Sequence, residues 1–277
     1  MVRLAYARNC KVSIVIRTRD LERLPELLRM MAAQTVKPAQ LIVVDNYSCE
    51  KSLKNMRRFL LKAKKTLFTS TTSIKLVALP DKFFSHAYST NLGVYHADNE
   101  FVCITNGHSL PISHRWFEDG LTHFRDPMVA GVCGYFLPSS SASLWEKLYP
   151  SLWNLQRKIT DIFGRNFYFS TINCILRKSL WEKYPFDENL LKIIPNSRKY
   201  GGEDYDWGLE MLARNYKIIV DPKFNVYHSH GESFKPSILK LLMYNRIQKS
   251  LKCFKRPKKS FTIVFKSKSR FYTLYNL

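Results

Sequence analysis

A chain of 277 residues with 45% apolar and 14% aromatic residues, 12 Pro and 10 Gly can fill one large α/β domain, or a domain with an appendage. Disordered, collagen-like and low-complexity classes are excluded. Forty-four Lys and Arg against 22 Asp and Glu leave a net charge of +22, and the excess is uneven: Pro236 to Leu277 contains eleven cations and no acid. Such a segment attracts polyanions, either nucleic acid or an anionic membrane surface.

No apolar run approaches the roughly 18 residues of a membrane span. Met1–Cys10 lacks the apolar stretch of a signal peptide, and the run Val12–Ile16 is short and broken by Arg17, so a cytoplasmic location is expected. Six scattered cysteines without a CxxC pair argue against a disulfide framework or a zinc site.

The first half alternates strands and helices. Lys11–Arg17 is a β-branched run suited to a buried strand. Asp20 is placed to cap a helix whose apolar positions Leu21, Leu24, Leu27, Leu28 and Met31 share one face. Gln40–Asp45 reads as a second strand, followed by a basic helix from about Glu50 to Lys65. Ile74–Leu79 reads as a strand, Ser85–Ala97 as a helix and Glu100–Thr105 as a strand. This pattern predicts a mostly parallel sheet with helices on both faces. Further on, Met128–Leu137 and Phe167–Leu176 read as strands around the aromatic segment Leu144–Phe163. Glu203–Arg214 reads as a helix, and Ile218–Val220 and Phe224–His228 as strands. A boundary near Ser233–Pro236 divides a domain of residues 1–235 from a basic, amphipathic, helical C-terminal extension of residues 236–277, with Pro257 breaking its helix.

In an open parallel sheet, ligands sit beyond the carboxyl ends of the strands. Polar groups stand at each of those ends: Arg17-Thr18-Arg19, Asp45-Asn46, Pro80-Asp81-Lys82 and Asn106-Gly107-His108. No GxGxxG follows the first strand, and neither a P-loop nor a GxSxG elbow is present. What remains is a sugar nucleotide, with a carboxylate for base or ribose and a metal or basic groups against a diphosphate. Glu203, Asp204, Asp206 and Glu210 concentrate acid behind Gly201-Gly202 in an otherwise basic chain. They serve either the helix dipole or a catalytic base. Trp207 offers a ring face to a sugar or to the core. His228 and His230 alternate, so on a strand only one of them can face the site.

The run VSIVIRTRD…LPELLRMMAAQTVKPAQLIVVDNYSCE resembles the nucleotide-binding opening of inverting family 2 glycosyltransferases with the GT-A fold. So do FSHAYSTNLGVYHADNEFVCITNGHSLP, GGEDYDWGLEMLARNYKIIVDP and VYHSHGES, in that order. The blocks are most similar to the bacterial rhamnosyltransferase-like branch, across residues 10 to 235. The resemblance implies that Asp45 contacts the nucleoside, with Arg17 and Thr18 at the lip of that pocket. It implies Asp204 of the Glu203-Asp204 pair as catalytic base, and His228 as a contact to the metal-diphosphate. Asn91, Asn106, His108 and Trp207 complete the expected donor site. Where relatives carry a DxD-type motif, this chain reads Asn106-Gly107-His108, which puts His108 in the place of the metal-binding aspartate. Imidazole suits Mn²⁺ better than Mg²⁺. Either His108 and His228 hold a divalent ion (Mn or Mg), or the site is metal-independent.

Three functions follow as expectations. The first is an enzyme that moves a sugar from a nucleoside-diphosphate sugar to a glycan or lipid-linked acceptor with inversion, in bacterial surface polysaccharide synthesis. Such an enzyme would be peripheral on the inner face of the cell membrane, its tail on anionic lipid. The second is a sugar-nucleotide-binding protein impaired in catalysis. The third, a nucleic-acid-binding protein, is disfavoured because the cations interleave with no recognised nucleic-acid motif, so no nucleic acid is expected as partner.

Overall fold

The computed structural model describes residues 2–148, 168–194, 200–253 and 271–277. Its centre is an eight-stranded sheet. The strands in chain order are β1 (Val12–Thr18), β2 (Gln40–Asp45), β3 (Ser73–Ala78), β4 (Phe101–Asn106), β5 (Leu110–Pro111), β6 (Val129–Cys133), β7 (Phe136–Leu137), β8 (Asn173–Arg177), β9 (Lys217–Val220), β10 (Val226–Tyr227) and β11 (Thr273–Asn276). The large sheet runs β11-β3-β2-β1-β4-β8-β6-β9, and β5-β10-β7 form a small second sheet. Strands β3, β2, β1 and β4 are parallel, while β8 runs antiparallel between β4 and β6.

Strand β1 is apolar along most of its length because both faces of the sheet are covered. Ile14 and Ile16 enter one core cluster with Leu24, Leu28, Leu60 and Trp116, and Val15 enters the other with Leu92, Leu180 and Trp207. Period-two alternation thus feeds two helical layers. All six cysteines are free, and Cys103, Cys133 and Cys174 are buried, as small apolar residues are.

Several expectations change. The first helix after β1 spans Leu24–Ala32 rather than starting after Asp20. A start at Leu21 would put Pro25 where the fifth residue must donate to the first, and proline has no N–H. The run Met128–Leu137 is divided between two sheets. At Gly134 a Cβ would lie 1.9 Å from the Phe224 carbonyl oxygen, a close approach that ends β6 and lets the chain cross over. Of Phe224–His228, only Val226 and Tyr227 are strand; a 3₁₀ turn occupies Pro222–Phe224. The aromatic segment expected over 144–163 lies largely outside the described residues, as does the stretch around Pro257.

The C-terminal region is tied to the domain. The helix Phe234–Cys253 packs through Ile247 and Leu251 on Leu190, Ile194 and Tyr205. Strand β11 then pairs antiparallel with β3 as an edge of the main sheet. Phe271 lies 4.6 Å from Phe83 between ring centroids, and the Tyr272 hydroxyl is 3.0 Å from His96 Nε2. These two rings belong to the tail expected on anionic lipid, and they are seated on the protein.

Candidate active site

Registers β1–β2 and β1–β4 bring Thr18 beside Asp45 and Arg17 beside Asn106, so the polar strand ends meet on one edge. Asp45 is 1% exposed, and among the described residues neither of its carboxylate oxygens has a hydrogen-bond partner. Burial pushes its pKa up to about 7, with the Asp20 charge adding to the effect. A buried carboxylate without donors is costly until a ligand supplies them. Asn46 Nδ2, next in sequence, is likewise unpartnered among the described residues.

Arg17 is not at a lip. It is buried, and it donates to Thr90 Oγ1 (2.8 Å), Asn106 Oδ1 (3.0 Å) and the Thr171 carbonyl (3.0 Å). The neighbouring Thr171 N–H donates to Asp204 Oδ2 at 3.2 Å. One residue, Thr171, therefore joins Arg17 to Asp204. Thr18 does stay at the edge, where its hydroxyl donates to the Asp20 carbonyl at 2.8 Å.

The helix Glu203–Ala213 starts after Gly201 (φ 79°) and Gly202 (φ 119°), left-handed backbone that suits glycine. That turn presents Glu203 and Asp204 toward Arg17, whose charge acts on both. Burial first, and Glu203 second, raise the Asp204 pKa to about 6, and burial raises that of Glu203. Asp206 points elsewhere, accepting from the Tyr184 hydroxyl at 3.1 Å.

Two expected donor contacts are redirected. Asn91 spends its whole amide inside the fold: Nδ2 donates to the Phe186 carbonyl and to Glu188 Oε1, while Oδ1 accepts from Trp181 Nε1 and the Phe186 N–H. It fastens the helix His86–Tyr95 to the segment after β8, with nothing left for a donor. Trp207 is fully buried against Phe169, at 4.9 Å between centroids, and Phe186. Its place on the core side of its helix makes it packing rather than a sugar platform.

The histidines converge more than expected. His108 follows β4, and His228 and His230 follow β10. The possible ligand atoms of the three lie within 4.8 Å of one another. His108 stacks on His228 at 4.6 Å and meets His230 edge-on at 5.1 Å. The expectation that His230 faces away assumed a strand, but β10 ends at Tyr227 and the alternation ends with it. His228 Nδ1 pairs with Ser109 Oγ at 2.9 Å, and its Nε2 faces His230 Nε2 at 3.1 Å. His108 Nε2 has no partner among the described residues. Burial holds the pKa of His108 down to about 4 and that of His228 well below the usual histidine value. The backbone of His230 and Gly231 is in turn held by Glu146, which accepts both N–H groups at 2.8 and 2.9 Å. Three neutral imidazoles, one with an orphaned nitrogen and one oriented by a hydroxyl, form a donor set that fits a divalent transition metal. Among the functional candidates, Ser109, Glu146, Thr171 and His230 were not picked out as site residues by the sequence pattern; the His-x-His spacing was the available signal for His230.

With this geometry established, similarity to known proteins can be placed on it. The family model described as "Glycosyl transferase family 2" matches residues 12–184, well over half of the chain. The chain belongs to glycosyl transferase family 2. The match covers Arg17, Asp45 and His108, and stops before Asp204 and His228. The O-antigen chain rhamnosyltransferase RfbN of Salmonella typhimurium (strain LT2) is 22% identical over 231 residues, covering 80% of this chain and 67% of the relative. Two solved structures share the fold. The mannosyltransferase PcManGT of Pyrobaculum calidifontis, in complex with GDP-Man and Mn²⁺, superposes with a TM-score of 0.64 at 16% identity, over 90% of this chain and 66% of that one. TarS 1-349 of S. aureus, in complex with UDP, gives 0.52 at 16% identity, over 79% and 60%. The chain spans about two thirds of the first two proteins and 60% of the third. The fold of this family 2 glycosyltransferase is GT-A. None of its described helices is long and apolar enough to cross a membrane.

Proposed function

We propose that this glycosyltransferase takes a sugar from a nucleoside diphosphate and transfers it, with inversion at the anomeric carbon, to a glycan or lipid-linked acceptor in bacterial surface polysaccharide synthesis. The observation that carries the reading is Asp45, a buried carboxylate with both oxygens unpartnered at the carboxyl edge of a parallel sheet. Hydroxyl or N–H donors of a nucleoside offset that burial. GDP-Man in PcManGT and UDP-GlcNAc in TarS support the donor class, and RfbN supports the polysaccharide context.

Asp204 is proposed as the base. Held by two backbone N–H groups, from Thr171 and Tyr205, and shifted to about 6, it is ionised at neutral pH yet basic enough to take the acceptor hydroxyl's proton. Arg17 holds the Thr171 peptide and Asn106 in register and lends positive charge to the same edge. The leaving diphosphate is proposed to meet the histidine cluster. When a divalent ion is bound, His108, His228 and His230 hold it, and it supplies positive charge for the diphosphate.

Calorimetric titration of the full chain with UDP, GDP and dTDP and their sugars tests this. One diphosphate is expected to bind, with the affinity lost in Asp45→Ala. Absence of binding by all of them would refute the proposal, and binding without turnover would leave the impaired donor-binding protein.

A further inference from the structure

The helix Glu50–Leu67 buries Leu53, Met56, Leu60 and Ala63. At 3.6 residues per turn these four fall within an arc of about 80°. Lys51, Lys54, Arg58, Lys62 and Lys65 fall within a second arc of about 80°, diametrically opposite the first. All five are exposed. None takes part in an ion pair among the described residues. The sole acid of the helix is Glu50, in the first turn.

Successive members of this row stand three or four residues apart, the spacing at which like charges on a helix repel one another. Solvated helix faces ordinarily intersperse both signs. An unrelieved row of one sign destabilises its own helix, and a matching anionic surface removes that repulsion. The row is about 21 Å long and runs along the face of the helix opposite the buried one. Leu61, 39% exposed, stands beside it. The C-terminal strand lies against the same helix: the Arg57 guanidinium sits 4.9 Å over the Tyr275 ring, and Lys64 Nζ bonds the Leu277 carbonyl. The sequence leading into that strand, residues 254–270, adds seven Lys and Arg and no acid.

We propose that this row is a docking face for an anionic lipid bilayer. A row along the exposed face of a single helix, with an apolar side chain at its flank, can meet a plane along its length. Single-stranded nucleic acid is instead held in a basic groove with rings for stacking, and the row contains no ring. The assignment adds the helix after β2 to the membrane contact expected of the tail, and it does not depend on the transfer reaction.

Flotation of the full chain with vesicles tests it. Binding is expected to vesicles containing phosphatidylglycerol, with release at high salt, and not to vesicles of phosphatidylcholine alone. The variant K51Q/K54Q/R58Q/K62Q/K65Q should lose affinity by about tenfold or more, and should melt no lower than the parent because the repulsion is gone. The smaller variant K54E/K62E should show the same loss. Neutralising Lys183, Lys192 and Lys223, exposed elsewhere, should leave flotation unchanged. The proposal is overturned if anionic vesicles fail to bind, if the five-residue and two-residue variants float like the parent, or if an RNA oligonucleotide binds more tightly than the vesicles at equal salt and loses that binding in the same variants.

Discussion

Asp45→Asn should make the protein more stable while weakening its hold on nucleotide. The carboxylate is 1% exposed and unpartnered, and its pKa is raised from 3.8 to about 7. An acid raised in the folded state binds more protons folded than unfolded. It therefore takes stability away as pH rises from the unfolded value to the folded one, and the loss is complete above about pH 7. About three pKa units at 1.36 kcal/mol each amount to about 4 kcal/mol at pH 8 and about 2 kcal/mol at pH 5. The asparagine amide still buries polar atoms without partners, which takes back about 1–2 kcal/mol. A net gain of about 2–3 kcal/mol is expected at pH 8, shrinking to near zero at pH 5. Urea unfolding of both proteins at the two pH values measures it, and calorimetry with the bound nucleoside diphosphate should show about tenfold weaker binding, or worse, in the variant. The reasoning fails if Asp45→Asn is no more stable at pH 8, or if its gain is the same at both pH values.

Asp204→Asn should lower turnover by about 10² or more with donor affinity retained. Because the proposed base must be ionised, the parent's rate should fall as pH drops below about 6, a limb absent from the variant's pH profile. Trp207→Ala should cost about 3–5 kcal/mol of stability in denaturant, whereas Trp207→Phe should bind nucleotide as the parent does in calorimetry. Asn91→Ala leaves Trp181 Nε1 and the Phe186 N–H without their acceptor, and denaturant unfolding should show a loss of about 2–4 kcal/mol. His230→Ala should weaken Co²⁺ binding, followed by absorbance without any substrate, by about tenfold or more.

The first half of the fold was legible because β1 to β4 are short apolar runs between helices, two of which, Leu24–Ala32 and Glu50–Leu67, have one clear apolar face. Such a pattern has few alternatives once strands must be covered on both faces. Asp45 was legible for the same reason, as a carboxylate ending an otherwise apolar strand. Arg17 was misplaced because its burial depends on partners at Thr90, Asn106 and Thr171 that are distant in sequence. Trp207 was ambiguous because the rings that cover it, Phe169 and Phe186, belong to other segments. His230 was lost to a period-two argument applied beyond the end of a two-residue strand. The tail was read from its charge and an amphipathic helical pattern, whereas β11 is placed by edge pairing with β3, and four residues carry too little pattern to announce that.

Proton NMR of the reaction of the full chain with the nucleoside-diphosphate sugar that binds it, and with an acceptor glycan, tests the proposed chemistry most directly. The first-formed product should carry the anomeric configuration opposite to the donor's, and its signal should vanish in Asp204→Asn. Retention of configuration, or undiminished product from the Asp204→Asn protein, would contradict single displacement with Asp204 as the base.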